Sequence, residues 1–207
     1  MSLNLKTLTR KVKKAKPISW YKPGKTVKAR DVTYKLSEPY GKVRKGKFQP
    51  QLSPPQMLVM GIFEGKYINN DTAEFPKEWY EKALKAGKLS PEKPNVEINY
   101  FKTKSRLPRS EWHSYGWIPS TKKVTRKQQY SLLSNQAKNP DSKGWFQWYC
   151  RYYCGRRMGE IDEVQMKRWN AFKRHLGQIK ANCKPGDLTC RPRQRQSLLQ
   201  WAYNPTV

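Results

Sequence analysis

Residues 144–157 read GWFQWYCRYYCGRR, which sets six aromatic side chains into the nine positions from Trp145 to Tyr153. Each such ring removes roughly 150–250 Å² from water when buried. A run this dense therefore becomes either the centre of a core or a platform on which a flat partner stacks. As a helix it puts Trp145, Trp148, Tyr149 and Tyr152 at i, i+3, i+4 and i+7 on one face, with Gln147, Arg151, Cys154 and Met158 on the other. As a strand it would align Phe146, Trp148, Cys150, Tyr152 and Cys154. The helical pattern that follows favours the first arrangement. On that reading the rings build the core, and Arg151, Arg156 and Arg157 are presented to a partner.

Few other residues are available for a core. Only 36% of the chain is hydrophobic, while 8 Trp, 12 Tyr and 6 Phe supply most of the apolar bulk. The expected fold is mainly α, a small aromatic-rich helical domain over residues 57–207 preceded by an extended basic N-terminal arm over residues 1–56. Residues 76–86 open with Pro76, pair Trp79 with Ala83 and Tyr80 with Leu84, and end at Gly87, which predicts a helix. A short helix is expected from Ser110 and another over 126–137, with an extended piece at 96–101 between helices. Over 161–182, Trp169, Phe172, Leu176, Ile179 and Cys183 recur at 3-4-3-4 spacing and predict one long amphipathic helix. A last helix is expected over 192–202.

Residues 1–56 carry scattered Pro and Gly among lysines, which breaks up any long helix. Isolated aromatics there, Trp20 and Tyr21 above all, suit stacking on or docking to another molecule. The first 30 residues contain no acid. That pattern fits an organelle transit peptide, a nuclear-localising segment or a polyanion-binding tail alike.

Charge narrows the function most. Forty-three Lys and Arg against fifteen Asp and Glu leave +28, an excess that calls for a polyanion. Residues 1–50 hold 15 basic and 2 acidic side chains, 51–100 hold 6 and 7, 101–142 hold 9 and 2, and 143–207 hold 13 and 4. The expected partner is nucleic acid, DNA or RNA, bound without catalysis through phosphates. The candidate contacts are an Arg-rich surface of Arg151, Arg156, Arg157, Lys167, Arg168, Lys173, Arg174, Arg191, Arg193 and Arg195, together with arm lysines Lys11, Lys13 and Lys14. Arginine's fork suits bidentate phosphate contacts, and lysine acts as a mobile point charge. Two alternatives share this charge. One is a structural component of a virion or ribonucleoprotein whose arm threads between subunits, and the other is a nucleic-acid-processing enzyme.

The string from Gly144 to Tyr153, the Gly-Arg-Arg that ends at Arg157, the pair Arg168-Trp169, and the tail with Cys190-Arg-Pro-Arg-Gln-Arg195 and Trp201-Ala-Tyr203 resemble an uncharacterised protein family. That family is found in large DNA viruses of algae, in some phages, and in fungi and plants. The resemblance spans roughly residues 57–203. It implies a viral source, and hence the virion or the nucleus or cytoplasm of an infected host, and it implies no activity.

Catalytic and metal patterns are sparse. The two histidines, His113 and His175, sit in no metalloenzyme motif. Glu160, Asp162 and Glu163 fit the dipole of a helix start as well as a metal. Cys150, Cys154, Cys183 and Cys190 lack the C-x2-C spacing of common zinc sites, so free buried thiols are expected and neither metal nor cofactor is assigned. No apolar run is long enough for a membrane span, and no secretory leader is visible.

Overall fold

The aromatic run is helix α6, Trp145–Tyr153, in the computed structural model, which describes residues 4–119 and 131–207. Every residue of α6 from Trp145 to Tyr152 is buried, Gln147 and Arg151 included. A helix enclosed on all sides is the axis of a core and not one of its walls. The polar tips of its rings find partners inside. The Trp148 indole donates to Asp162 Oδ1 at 2.8 Å, the Trp145 indole to the Gln165 carbonyl at 3.2 Å, and the Tyr149 hydroxyl to the Leu52 carbonyl at 2.8 Å.

Residues 4–56 form part of this core, which corrects the expectation of an extended arm. Helix α1, Leu5–Lys13, starts at Asn4, whose side chain accepts from Thr7 N at 2.9 Å, and it buries Leu8 and Val12 one turn apart. Strands β1, Thr26–Lys28, and β2, Thr33–Lys35, pair antiparallel with Val27 opposite Tyr34. Phe48 then enters the interior and meets Trp148, Tyr149, Tyr152 and Trp169 edge-on at centroid distances of 5.1–6.1 Å. Tyr21, expected to stack on a partner, is buried with its hydroxyl donating to the Glu74 carbonyl. Trp20 is half-buried and lies under the Lys16 ammonium, 3.4 Å from its ring centre. The aromatic anchors dock on this chain's own helices, so the division at residue 56 is not a boundary of the core.

Gly155 allows the close approach of this segment. Its φ is +109°, and a Cβ there would lie 2.1 Å from the Glu38 carbonyl oxygen. Its own carbonyl accepts from the backbone N–H groups of Ser37 and Glu38 at 2.9 and 3.1 Å. A side chain at this position would push residues 37–38 off the end of α6.

Among the remaining helices, α2 is Pro54–Met60 and α3 is Lys77–Lys85, the latter starting behind Pro76 as its proline and i,i+4 pairs require. Helix α4, Arg109–Ser114, is capped by Pro108, two residues before the cap expected at Ser110. Of the helix predicted over 126–137, residues 126–130 lie outside the described ones, Ser131–Ser134 form helix α5, and residues 135–137 run past its end into a turn. Residues 96–101 contain a 3-10 turn, Val96–Ile98, in place of an extended piece. The single helix expected over 161–182 is two, α7, Glu160–Phe172, and α8, Arg174–Asn182, meeting at Lys173. At this joint the Phe172 ring stacks on Trp201 at 4.7 Å and lies 4.4 Å from His175. Helix α9, Pro192–Gln200, closes the fold. The molecule is mainly helical, and no helix among the described residues is long and apolar enough to cross a membrane.

Cys150 and Cys154 are buried thiols, and burial pushes both well above their usual pKa. Cys183 and Cys190 are instead joined by a disulfide, with Cα atoms 5.8 Å apart, across the turn between α8 and α9. This corrects the free-thiol expectation for that pair. A bond of this kind persists where the surroundings are oxidising.

Candidate nucleic-acid interface

Two of the arginines expected to face a partner lie in the interior. Arg151 and Arg156 are each 1% exposed. Arg151 grips Glu74 with Nε to Oε1 at 2.5 Å and Nη2 to Oε2 at 3.2 Å. Its Nη1 donates to Asp141 Oδ1 at 2.9 Å and to the Pro140 carbonyl at 3.0 Å. Arg156 holds the same Asp141 bidentately, at 2.9 and 2.7 Å. Tyr34 donates to Glu74 Oε1 at 3.0 Å, and its ring lies 5.7 and 5.6 Å from the two guanidinium carbons. Burial works against the charge on Arg151, but Glu74 and Asp141 outweigh it and raise the guanidinium's pKa. Two carboxylates thus neutralise two guanidiniums, and the network joins β2, the approach to α3, the turn at Asp141 and the C-terminal end of α6. This geometry corrects the presentation expected for Arg151 and Arg156.

Three more of the expected contacts are also committed within the fold. Arg195 is fully buried and donates to the carbonyls of Cys190, Pro205, Val207 and Asp187 at 2.6–2.9 Å, clamping the disulfide turn to the C-terminal segment. Arg157 is half-buried over the Tyr152 ring at 3.6 Å and donates to the carbonyls of Tyr152, Arg156 and Lys42. Arg168 is buried, donates to Gln165 Oε1 at 2.9 Å and lies 5.5 and 5.4 Å from the Trp117 and Trp201 rings. Arginine suits such sites because its planar fork satisfies several acceptors at once.

The other candidates are exposed: Lys11, Lys13 and Lys14 on or beside α1, Lys167, Lys173 and Arg174 around the α7–α8 joint, and Arg191 and Arg193 at the start of α9. The fold adds a cluster that spacing did not reveal. Partial burial, with the nearby charges of Lys25 and Lys28, lowers the pKa of Lys16, so cations from the end of α1 and from the hairpin crowd together. Of the acids at the start of α7, Asp162 is buried and accepts from Trp148 and from Met158 N at 2.7 Å, whereas Glu160 and Glu163 are exposed. Among the described residues no group of three or more His, Cys, Asp or Glu is placed to hold a metal.

Two adjoining cavities bring together residues that the sequence left scattered. The larger, about 340 Å³, is walled by aromatic rings from α4 and the segment after it, from α6 and α7, and from the end of α9, among them Trp112, Trp117, Trp145 and Trp201. The smaller, about 170 Å³, is lined by Lys66, Arg106, Arg109 and Lys143 with Tyr67, Leu107 and Trp112. The two share Tyr67, Arg106, Leu107 and Trp112. A mainly helical fold with an aromatic core, internal guanidinium clamps and a cationic exterior is the class these features define. No family model, curated protein or solved structure matches the chain.

Proposed function

We propose that this protein binds nucleic acid without catalysis, meeting phosphates with the exposed lysines and arginines of α1, the β1–β2 hairpin and the α7–α9 region. One observation carries the reading. Among the described residues folding buries five acids, Glu64, Asp71, Glu74, Asp141 and Asp162, and four arginines. Their interior is therefore close to neutral, and the positive excess of the described residues stays on the surface, where a polyanion relieves it. Buried clamps explain why Arg151, Arg156 and Arg195 take no part, and the exposed cations on several elements favour phosphate contacts with little sequence preference.

The test is the affinity of the full chain for duplex DNA and for RNA over a series of salt concentrations. The expected result is a linear fall of log affinity with log salt, with a slope of about −0.9 for each phosphate neutralised on a duplex. Affinity that does not change with salt overturns the proposal.

A further inference from the structure

Surface charge of this kind is satisfied by any phosphate, whereas the paired cavities are selective. We propose that they seat a single nucleotide of an unpaired strand, with its base in the ring-walled chamber and its phosphate in the cationic one. This inference rests on the nucleic-acid reading and names the form of nucleic acid preferred.

The larger chamber suits a flat heteroaromatic ring. Trp145, Trp201 and Phe172 form a stacked series with centroid spacings of 4.8 and 4.7 Å. Trp112 and Trp117 are only half-buried and line the same space. Aromatic faces hold unpaired bases of any identity, because every base has a π face. In a duplex those faces are covered by neighbouring pairs. At about 340 Å³ the chamber falls at the small end of the roughly 300–1,000 Å³ of ligand sites, which suits one nucleotide. Gly144, with φ +83°, contributes wall without a side chain; a Cβ there would press on Ile118 at 3.1 Å and reach Trp112 at 3.9 Å.

The smaller chamber suits the phosphate. Two of its four cations are already matched, Arg106 by Glu64 at 2.9 Å and Lys143 by Asp71. The other two are not. Lys66 donates to the carbonyls of Pro91 and Glu92, Arg109 donates to the Ser142 carbonyl, and neither meets a carboxylate among the described residues. The chamber therefore carries net positive charge beside the aromatic walls. A quaternary ammonium, the usual guest of an aromatic cage, would be repelled by these cations and by Arg168. An apolar peptide side chain would fill the rings and leave Lys66 and Arg109 unanswered.

The experiment titrates the full chain with a labelled single strand of about a dozen nucleotides, with the same strand made abasic, with the matching duplex, and with a mononucleotide followed by tryptophan fluorescence. The intact strand is expected to bind about tenfold tighter than the abasic one. Trp112→Ala should remove that preference, Arg109→Gln should weaken the intact and the abasic strand alike, and both should leave duplex affinity unchanged. Mononucleotide quenching that the same substitutions abolish supports the site too, and it identifies free nucleotide as the guest if the strand binds no tighter. Equal binding of intact and abasic strands, no mononucleotide quenching and silent substitutions overturn the site while the nucleic-acid reading stands. Failure of every nucleic-acid probe to bind overturns both. If Trp112→Ala does not fold, Arg109→Gln and the abasic comparison on the unmodified chain decide.

Discussion

Arg151 and Arg156 occur in the same aromatic-basic stretch, yet they do the opposite work of Lys11, Lys13 and Lys14. The arginines lie in the interior between Glu74 and Asp141, whereas the lysines stand in solvent on or beside α1. The difference follows from what each cation meets. A guanidinium that engages two carboxylates and a carbonyl at once offsets its desolvation, and an exposed ammonium with no carboxylate nearby keeps its water until a phosphate replaces it. Net charge therefore says little about which cations bind a partner. Location decides.

The sharpest way to break the comparison is to remove the carboxylate that both arginines share. Asp141→Ala leaves two guanidiniums facing each other in the core and should cost about 5 kcal/mol of stability in urea denaturation, enough to unfold much of the population. Phe48→Ala comes next. Phe48 touches four rings of the core, so its loss should cost about 3–5 kcal/mol. A surface-like effect, within about 0.5 kcal/mol, would return residues 4–56 to the status of an arm. Replacing Cys183 and Cys190 together by Ser should cost about 2 kcal/mol, because the closed loop is short, and reductant should then have no further effect.

The surface half of the comparison predicts smaller changes in stability. Replacing Lys11, Lys13 and Lys14 together by Gln should leave stability within about 0.5 kcal/mol and flatten the salt slope of binding by about 3. Smallest is a proton effect at the α7–α8 joint. Burial and the adjacent Arg174 hold the His175 imidazole below its ordinary value of 6.5. The unfolded chain then takes up this proton more readily than the folded one, so stability should slip as pH falls through about 6.5. An NMR titration should place the His175 midpoint below 6.5.

Much of the helical part was legible because periodicity is local. The rings of α6, the i,i+4 pairs of α3 and the Pro-led start of α9 each announce a helix within a dozen residues. Burial of the arginines was not legible, because Glu74 lies 77 positions from Arg151 and sequence spacing gives no hint of that contact. Tyr21 was misplaced for the same reason; its partner Glu74 lies 53 positions along the chain. The break at Lys173 escaped notice because the apolar stripe continues across it, with Trp169 and Ile179 both buried. Trp112, Lys66 and Arg109 carried no common signal before the fold placed them around the paired cavities. Acids offered the one clue that could have been used. In a chain this basic, an acid as isolated as Asp141 is worth testing as the inner partner of an arginine.

Arg151→Met tests the division of labour most directly, read as the urea midpoint beside nucleic-acid affinity under folding conditions. The expected result is a steep fall in the midpoint, about 3–5 kcal/mol, because Glu74 is left buried without its guanidinium. The molecules still folded should bind nucleic acid as before. An unchanged midpoint with lost binding would contradict the account and return Arg151 to the surface.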